Sequence, residues 1–167
     1  DEVLLADLGK ILRAKGDSHG ALTAYESALE LNPRMAAIRN NLANILLEHD
    51  RLDDAILQYE QAVECNPGYA LGYKNMGLAL EKAGRLDDAE SALRKAISLQ
   101  EDFYDAQKPL AFLLAKQGRI DEATRTYFWW GILQFEMRSQ AIWENLTLTE
   151  SMYLRAFEAG VADPAPP

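Results

Sequence analysis

The residues of this sequence that could do chemistry are few and widely separated. His19 and His49 both fall in predicted turns, and neither has a second histidine or cysteine at the spacing of a metal site. Cys65 is the only cysteine, so it cannot form an intramolecular disulfide, and it has no histidine or aspartate pattern that would activate a thiol. There is also no phosphate-binding glycine loop and no nucleophile elbow. The sequence therefore predicts no enzyme, no metal site and no cofactor.

Two pairs of adjacent carboxylates, Asp53-Asp54 and Asp87-Asp88, could in principle act as an acid–base pair or as metal ligands. We interpret them instead as acidic residues in the first turn of a helix, where they favour the helix N-terminus. Their surroundings support this, because a five-residue segment recurs every 34 positions, at Arg51–Ala55, Arg85–Ala89 and Arg119–Ala123. A fixed period of this size indicates a stack of repeated helical units.

Other positions keep the same period. Leu4, Leu5, Leu8 and Leu12 share one face of a predicted first helix. A large apolar residue recurs at Leu8, Leu42, Met76 and Leu110, and Gly or Ala follows it at Gly9, Ala43, Gly77 and Ala111. Small residues recur at two further positions, Ala21, Ala55, Ala89, Ala123 and Ala28, Ala62, Ala96. An aromatic residue or Leu recurs at Tyr25, Tyr59, Leu93 and Tyr127, and a terminating proline at Pro33 and Pro67. This pattern resembles the tetratricopeptide repeat. The resemblance implies an all-α, right-handed superhelical solenoid of antiparallel helix pairs, and binding rather than chemistry.

The period divides the chain into repeats and a C-terminal region. Pro109 falls in the opening turn of its helix if that helix begins near Asp105. Trp130 stands where earlier repeats have a small residue, so we expect the fourth repeat to be degenerate at its end and helices rich in aromatic residues to cap the stack. The predicted boundaries are four repeats at 2–35, 36–69, 70–103 and 104–137, capping helices at 138–160 and a Pro-rich tail at 161–167.

The charge balance excludes some partners. The 167 residues carry a net charge of −9, which argues against nucleic acid and against an anionic membrane surface. The longest apolar run, 127–133, is far shorter than the ~20 residues of a membrane-spanning helix. A cytoplasmic location is therefore expected. Because the chain begins at Asp1 rather than Met, we also expect an excised or processed piece that could have lost a targeting segment.

The resemblance also implies a binding surface, because in this family the first helix of each repeat lines the concave face. Carried over, that face comprises Lys10, Arg13, Asn40, Asn41, Asn44, Leu71, Lys74, Asn75, Leu78, Lys82, Lys108 and Phe112. With the neighbouring Glu48, Glu81, Asp105 and Lys116, it holds six cations against three acids. One hypothesis is a protein or peptide partner with acidic side chains or a free C-terminus. The alternative is a set of solvated charges without a ligand.

Two family comparisons refine this hypothesis. Asn41 and Asn75 occupy equivalent positions, which is similar to the asparagine ladder in the repeats of O-linked N-acetylglucosamine transferase; the alternative is a polar helix surface. The carboxylate clamp of repeats that bind heat-shock chaperones is largely missing. Of its matching positions, Ala6, Lys10, Asn41, Leu71 and Asn75, only Asn41 fits.

The predicted function is thus a protein-interaction module that binds a peptide in its concave groove. One alternative is the substrate-targeting or dimerising arm of a larger enzyme, such as a glycosyltransferase, sulfotransferase or methyltransferase. Another is self-association through the aromatic C-terminal region.

Overall fold

The computed structural model of the chain describes residues 1–100 and 103–127. The chain divides into two compact units, Asp1–Glu101 and Asp102–Pro167. The first unit contains six α-helices and the second begins with a seventh: α1 Glu2–Ala14, α2 Ser18–Leu31, α3 Ala36–Glu48, α4 Leu52–Cys65, α5 Ala70–Lys82, α6 Leu86–Leu99 and α7 Tyr104–Lys116. An eighth helix occupies residues 120–127. The predicted capping helices and tail, 138–160 and 161–167, lie outside the described residues.

In the first unit the helices pack as consecutive pairs, α1 with α2, α3 with α4 and α5 with α6. A tight turn separates the two helices of each pair, and one residue in each turn has a positive φ angle: Gly16 at 83°, Asp50 at 57° and Gly84 at 78°. Glycine takes this conformation without steric cost, and aspartate does so more readily than most residues. Asp50 therefore takes the place that Gly16 and Gly84 have in the other two turns.

Small residues set the distance between paired helices. Ala21, Ala55 and Ala89 are each 0% exposed, and the larger Tyr25 and Tyr59 are buried beside them at 1%. The glycines of the first helices serve the same purpose: a Cβ atom added at Gly77 would lie 2.7 Å from Leu93 Cγ. The recurring small and large positions of the sequence are therefore complementary parts of one core.

The aspartate pairs do not form a site. Each lies in the first turn of its helix, α4 or α6. Asp54 pairs with Arg51 and Asp88 with Arg85, each across 2.8 Å within a single turn. The recurring five-residue segment therefore marks the start of a helix, which confirms that these carboxylates are first-turn acids.

In the second unit, α7 begins at Tyr104, so Pro109 lies in the second turn of the helix rather than in its opening turn. There it removes one backbone donor from the helix interior. Phe112 of α7 packs edge-on against Tyr127, with ring centroids 6.2 Å apart and planes at 82°. This pair of rings joins α7 to the helix at residues 120–127.

Candidate peptide-binding face

The first helices of successive pairs, α1, α3 and α5, are tied to one another by side chains that cross between repeats. Arg13 of α1 reaches α3, where it donates to the Asn41 carbonyl at 3.4 Å and to Glu48 Oε1 at 2.6 Å. Lys82, at the end of α5, pairs at 3.1 Å with Asp50, in the turn after α3. We call the surface formed by α1, α3 and α5 the first-helix face.

A cavity of about 400 Å³ opens on this face between the first two repeats. Its walls are Lys10, Arg13, Ala14, Tyr25 and Asn41. Two cations, a phenol and an amide therefore line one open space, together with Ala14. Such a set of donors suits a carboxylate, which accepts hydrogen bonds in several directions.

The titration behaviour of the cavity reflects this arrangement. Burial raises the pKa of Tyr25, while the positive charges of Arg13 and Lys10 and a hydrogen bond from Asn41 act in the opposite direction. The pKa of Lys10 is also raised, chiefly because its ammonium donates to the Asp7 carboxylate at 2.8 Å. At neutral pH the Tyr25 hydroxyl therefore keeps its proton, and the ammonium of Lys10 is shared with the Asp7 carboxylate.

The asparagines of α3 and α5 occupy different environments. Asn40 is only 2% exposed, and its Oδ1 accepts a hydrogen bond from Asn75 Nδ2 at 2.9 Å. Asn44 Oδ1 accepts the hydroxyl proton of Tyr59 at 2.5 Å. Asn41, in contrast, is half-buried at the cavity wall. Asn40 and Asn75 thus form one link between repeats, and Asn40 is too deeply buried to touch a ligand directly.

The remaining predicted site residues lie as follows. Leu71 and Leu78 are 40% and 38% exposed on α5, and the half-buried Lys74 lies between them in sequence. Lys108 and Phe112 belong to α7 in the second unit. The cations of the first unit are less free than the composition suggests, because Lys10, Arg13 and Lys82 each pair with a carboxylate.

Three polar contributors to this unit are not evident from the pattern of first-helix residues. The hydroxyl of Tyr25 bonds to Asn41 and that of Tyr59 to Asn44, whereas the sequence pattern marks these two residues only as a recurring aromatic position. The repeat spacing gives no signal for this, because Tyr25 meets Asn41, 16 positions later, whereas Tyr59 meets Asn44, 15 positions earlier. Arg39, half-buried, donates to Gln58 at 2.9 Å and to the Pro33 carbonyl at 2.9 Å, which fastens α3 to α4 and to the preceding turn.

Over residues 1–100 and 103–127, no cluster of three or more histidine, cysteine, aspartate or glutamate side chains is arranged to hold a metal ion. Nor is any helix in the same ranges long and apolar enough to span a bilayer.

Solved structures of similar fold include three that are informative. MamA from Desulfovibrio magneticus RS-1 matches with a TM-score of 0.74 and 24% identity over 84% of this chain and 77% of its own. The first TPR of Spaghetti (RPAP3), bound to the HSP90 peptide SRMEEVD, matches with a TM-score of 0.67 and 18% identity. The match covers 70% of this chain and 95% of that chain. An O-GlcNAc transferase mutant from Thermobaculum terrenum matches with a TM-score of 0.63 and 22% identity. The match covers 68% of this chain but only 22% of the enzyme chain. At these identities the likeness establishes the fold alone.

No curated protein matches in sequence. Three family models match, each described as a tetratricopeptide repeat, at residues 6–70, 58–91 and 80–127. They overlap to cover the chain without a gap from residue 6 to residue 127. The expected all-α solenoid of helix pairs is thereby confirmed, and the chain belongs to the tetratricopeptide repeat family.

Proposed function

We propose that the chain is a protein-interaction module that holds an extended peptide along the first-helix face, the concave groove expected for its family. The cavity between the first two repeats accepts an acidic side chain or the C-terminal carboxylate of that peptide. The observation that carries this proposal is the convergence of Lys10, Arg13, Tyr25 and Asn41 on one space of about 400 Å³. The peptide-bound RPAP3 structure supports the general mode, since a chain of similar fold holds an acidic peptide.

The existing ion pairs decide how strong the charge contribution can be. Lys10 and its partner Asp7 are both more than half exposed, so their interaction is weak, of the order of 0–1 kcal/mol, and the ammonium can turn toward a ligand. Arg13 is 29% exposed and holds Glu48 more firmly. Lys10 is therefore the adjustable cation of the cavity, while Arg13 supplies a fixed charge.

Peptide affinity measured by fluorescence anisotropy tests the proposal. The probes are a labelled SRMEEVD peptide, its C-terminally amidated form, and a form with both glutamates replaced by glutamine. We expect the Lys10→Glu variant to weaken binding of the acidic probe at least fivefold. Lys95→Glu, an equal charge change at an exposed position on α6, is the matched control and should leave affinity unchanged.

Comparison of the probes then identifies the group in the cavity. If the parent chain binds the amidated probe more weakly than the unmodified probe, the cavity holds the C-terminal carboxylate. If it instead binds the glutamine-substituted probe more weakly, the cavity holds an acidic side chain. Equal affinity of all three probes for the parent chain and for Lys10→Glu would refute the cavity as the recognition site.

The second candidate, the substrate-targeting or dimerising arm of a larger enzyme, is favoured by one observation: this repeat array also matches part of an O-GlcNAc transferase chain. The two proposals share the groove and differ in what is joined to it. An immunoblot of the natural source with an antibody to this domain distinguishes them. A band large enough to include a catalytic domain would favour the enzyme arm, and a band near 18.7 kDa would exclude it.

A further inference from the structure

Arg13, the less exposed cation of the cavity, is already engaged by a carboxylate of the next repeat. Its guanidinium donates to Glu48 Oε1 at 2.6 Å and, over a longer 3.4 Å, to the carbonyl oxygen of Asn41. Glu48 is not among the residues that line the cavity, so it acts on a ligand there through Arg13. Any carboxylate that enters the cavity must therefore share this cation with Glu48.

The stacking of repeats does not require this ion pair. One period later the equivalent positions hold Leu47 and Lys82, which cannot form an ion pair with each other. Lys82 pairs instead with Asp50, in the turn after α3. Helix α5 nevertheless packs on α3. The Arg13–Glu48 pair is thus a local feature of the space between the first two repeats rather than a part of the repeated architecture.

The exposure of the two partners indicates that the pair can open. The side chain of Arg13 is 29% exposed, whereas that of Glu48 is 52% exposed. On release Glu48 returns to water at little cost, because an ion pair with one side so open to solvent contributes little to stability. Arg13 keeps its place, since most of its side chain is covered by the protein.

A ligand carboxylate that takes over this bond gains little from it. The exchange replaces one charge-assisted hydrogen bond with another of the same kind, and the displaced Glu48 stays nearby as a like charge. With an uncharged amide at position 48, the ligand would instead replace a neutral acceptor by a charged one, which binds a guanidinium more strongly. The carboxylate of Glu48 thus reduces what Arg13 contributes to ligand affinity.

We propose that Glu48 is an internal competitor of the ligand, which holds the guanidinium of Arg13 in the free chain and is displaced when an acidic group of a peptide binds. This inference rests on the proposed function, because it takes the cavity as the recognition site. Glu48 sets affinity and selectivity without touching the ligand. A peptide must be acidic enough to displace Glu48, and a neutral peptide obtains no contribution from Arg13.

The affinity of the Glu48→Gln variant, measured by fluorescence anisotropy, tests this inference. Glutamine keeps the length of the side chain and an acceptor oxygen, so the substitution removes the charge alone. We expect the labelled SRMEEVD peptide to bind about two- to fivefold more tightly than to the parent chain, the range set by a partly exposed ion pair. A neutral probe, with its acidic residues replaced by amides and its C-terminus amidated, should bind both chains equally.

Two further variants show whether the gain comes from Arg13. Glu64→Gln makes the same charge change at an exposed position on α4, and as the matched control it should bind both probes as the parent does. In an Arg13→Gln background, the addition of Glu48→Gln should bring no gain. A gain that persists there would overturn the inference, because Glu48 would then act by its charge alone and not by holding Arg13.

The Lys10→Glu variant separates a failure of this inference from a failure of the proposed function. If Lys10→Glu binds the acidic probe as the parent does, the cavity is not the recognition site and both proposals are wrong. If Lys10→Glu weakens binding while Glu48→Gln binds no more tightly than the parent, the proposed function stands and Glu48 is not a competitor.

Discussion

Replacing Asn75 with alanine tests whether the asparagine pair is structural. Asn75 Nδ2 donates to Asn40 Oδ1 at 2.9 Å, and Asn40 is 2% exposed. The Asn75→Ala variant leaves that carbonyl oxygen buried without its donor, which costs about 1–3 kcal/mol. Asn75 itself is half-buried, so its truncation loses little packing. We therefore expect the free energy of unfolding to fall by about 1–3 kcal/mol.

Urea unfolding followed by circular dichroism measures this loss, and a double-mutant cycle isolates its cause. Asn40→Ala, Asn75→Ala and the combined variant should show a coupling energy of about 0.5–3 kcal/mol. Asn41→Ala is the comparison for the cycle: it removes the hydrogen bond to Tyr25 and leaves the Asn40–Asn75 pair intact, so it should show no coupling to Asn75→Ala. The reasoning would be refuted if Asn75→Ala unfolded like the parent while its affinity for peptide fell tenfold, because the amide would then serve the ligand instead.

Three further predictions concern the core, a turn and a buried hydroxyl. Gly9→Ala should lower the free energy of unfolding by about 1–3 kcal/mol in the same urea assay, because the new methyl group would overlap the Tyr25 ring; an unchanged midpoint would mean that the ring can move aside. Asp50→Gly should raise the melting temperature slightly, by the equivalent of a few tenths to about 1 kcal/mol, because it relieves a positive φ of 57° and loses only an exposed ion pair to Lys82. A fall in the melting temperature would show that this pair matters more than the backbone strain. Burial raises the pKa of Tyr59 from 10.0 to about 12, so the folded state holds this proton more tightly than the unfolded state does. The resulting stability is fully present below pH 10 and is lost as the pH rises toward 12, by at most roughly 2–3 kcal/mol, and in Tyr59→Phe the fall in melting temperature over that range should shrink.

The sequence alone determined the local design of the chain. The 34-residue period, the alternation of small and large apolar positions and the residues that turn the chain at Gly16, Asp50 and Gly84 all act within one helix pair. Such signals depend on backbone conformation and on which side of a helix is apolar, and both are encoded by neighbouring residues. The helix pairs, the first-turn aspartates and the family were predictable for this reason.

Only the tertiary structure decided which side chains meet between repeats. Asn40 and Asn75, Arg13 and Glu48, and Lys82 and Asp50 are 32 to 35 positions apart, and each contact depends on the rotation and separation of two stacked helices. None of these separations equals the 34-residue period, so the repeat pattern does not pair these residues, and it cannot tell a buried asparagine from an exposed one. The cavity beside Arg13 arises in the same way, because it is a property of the space between helices rather than of any one segment.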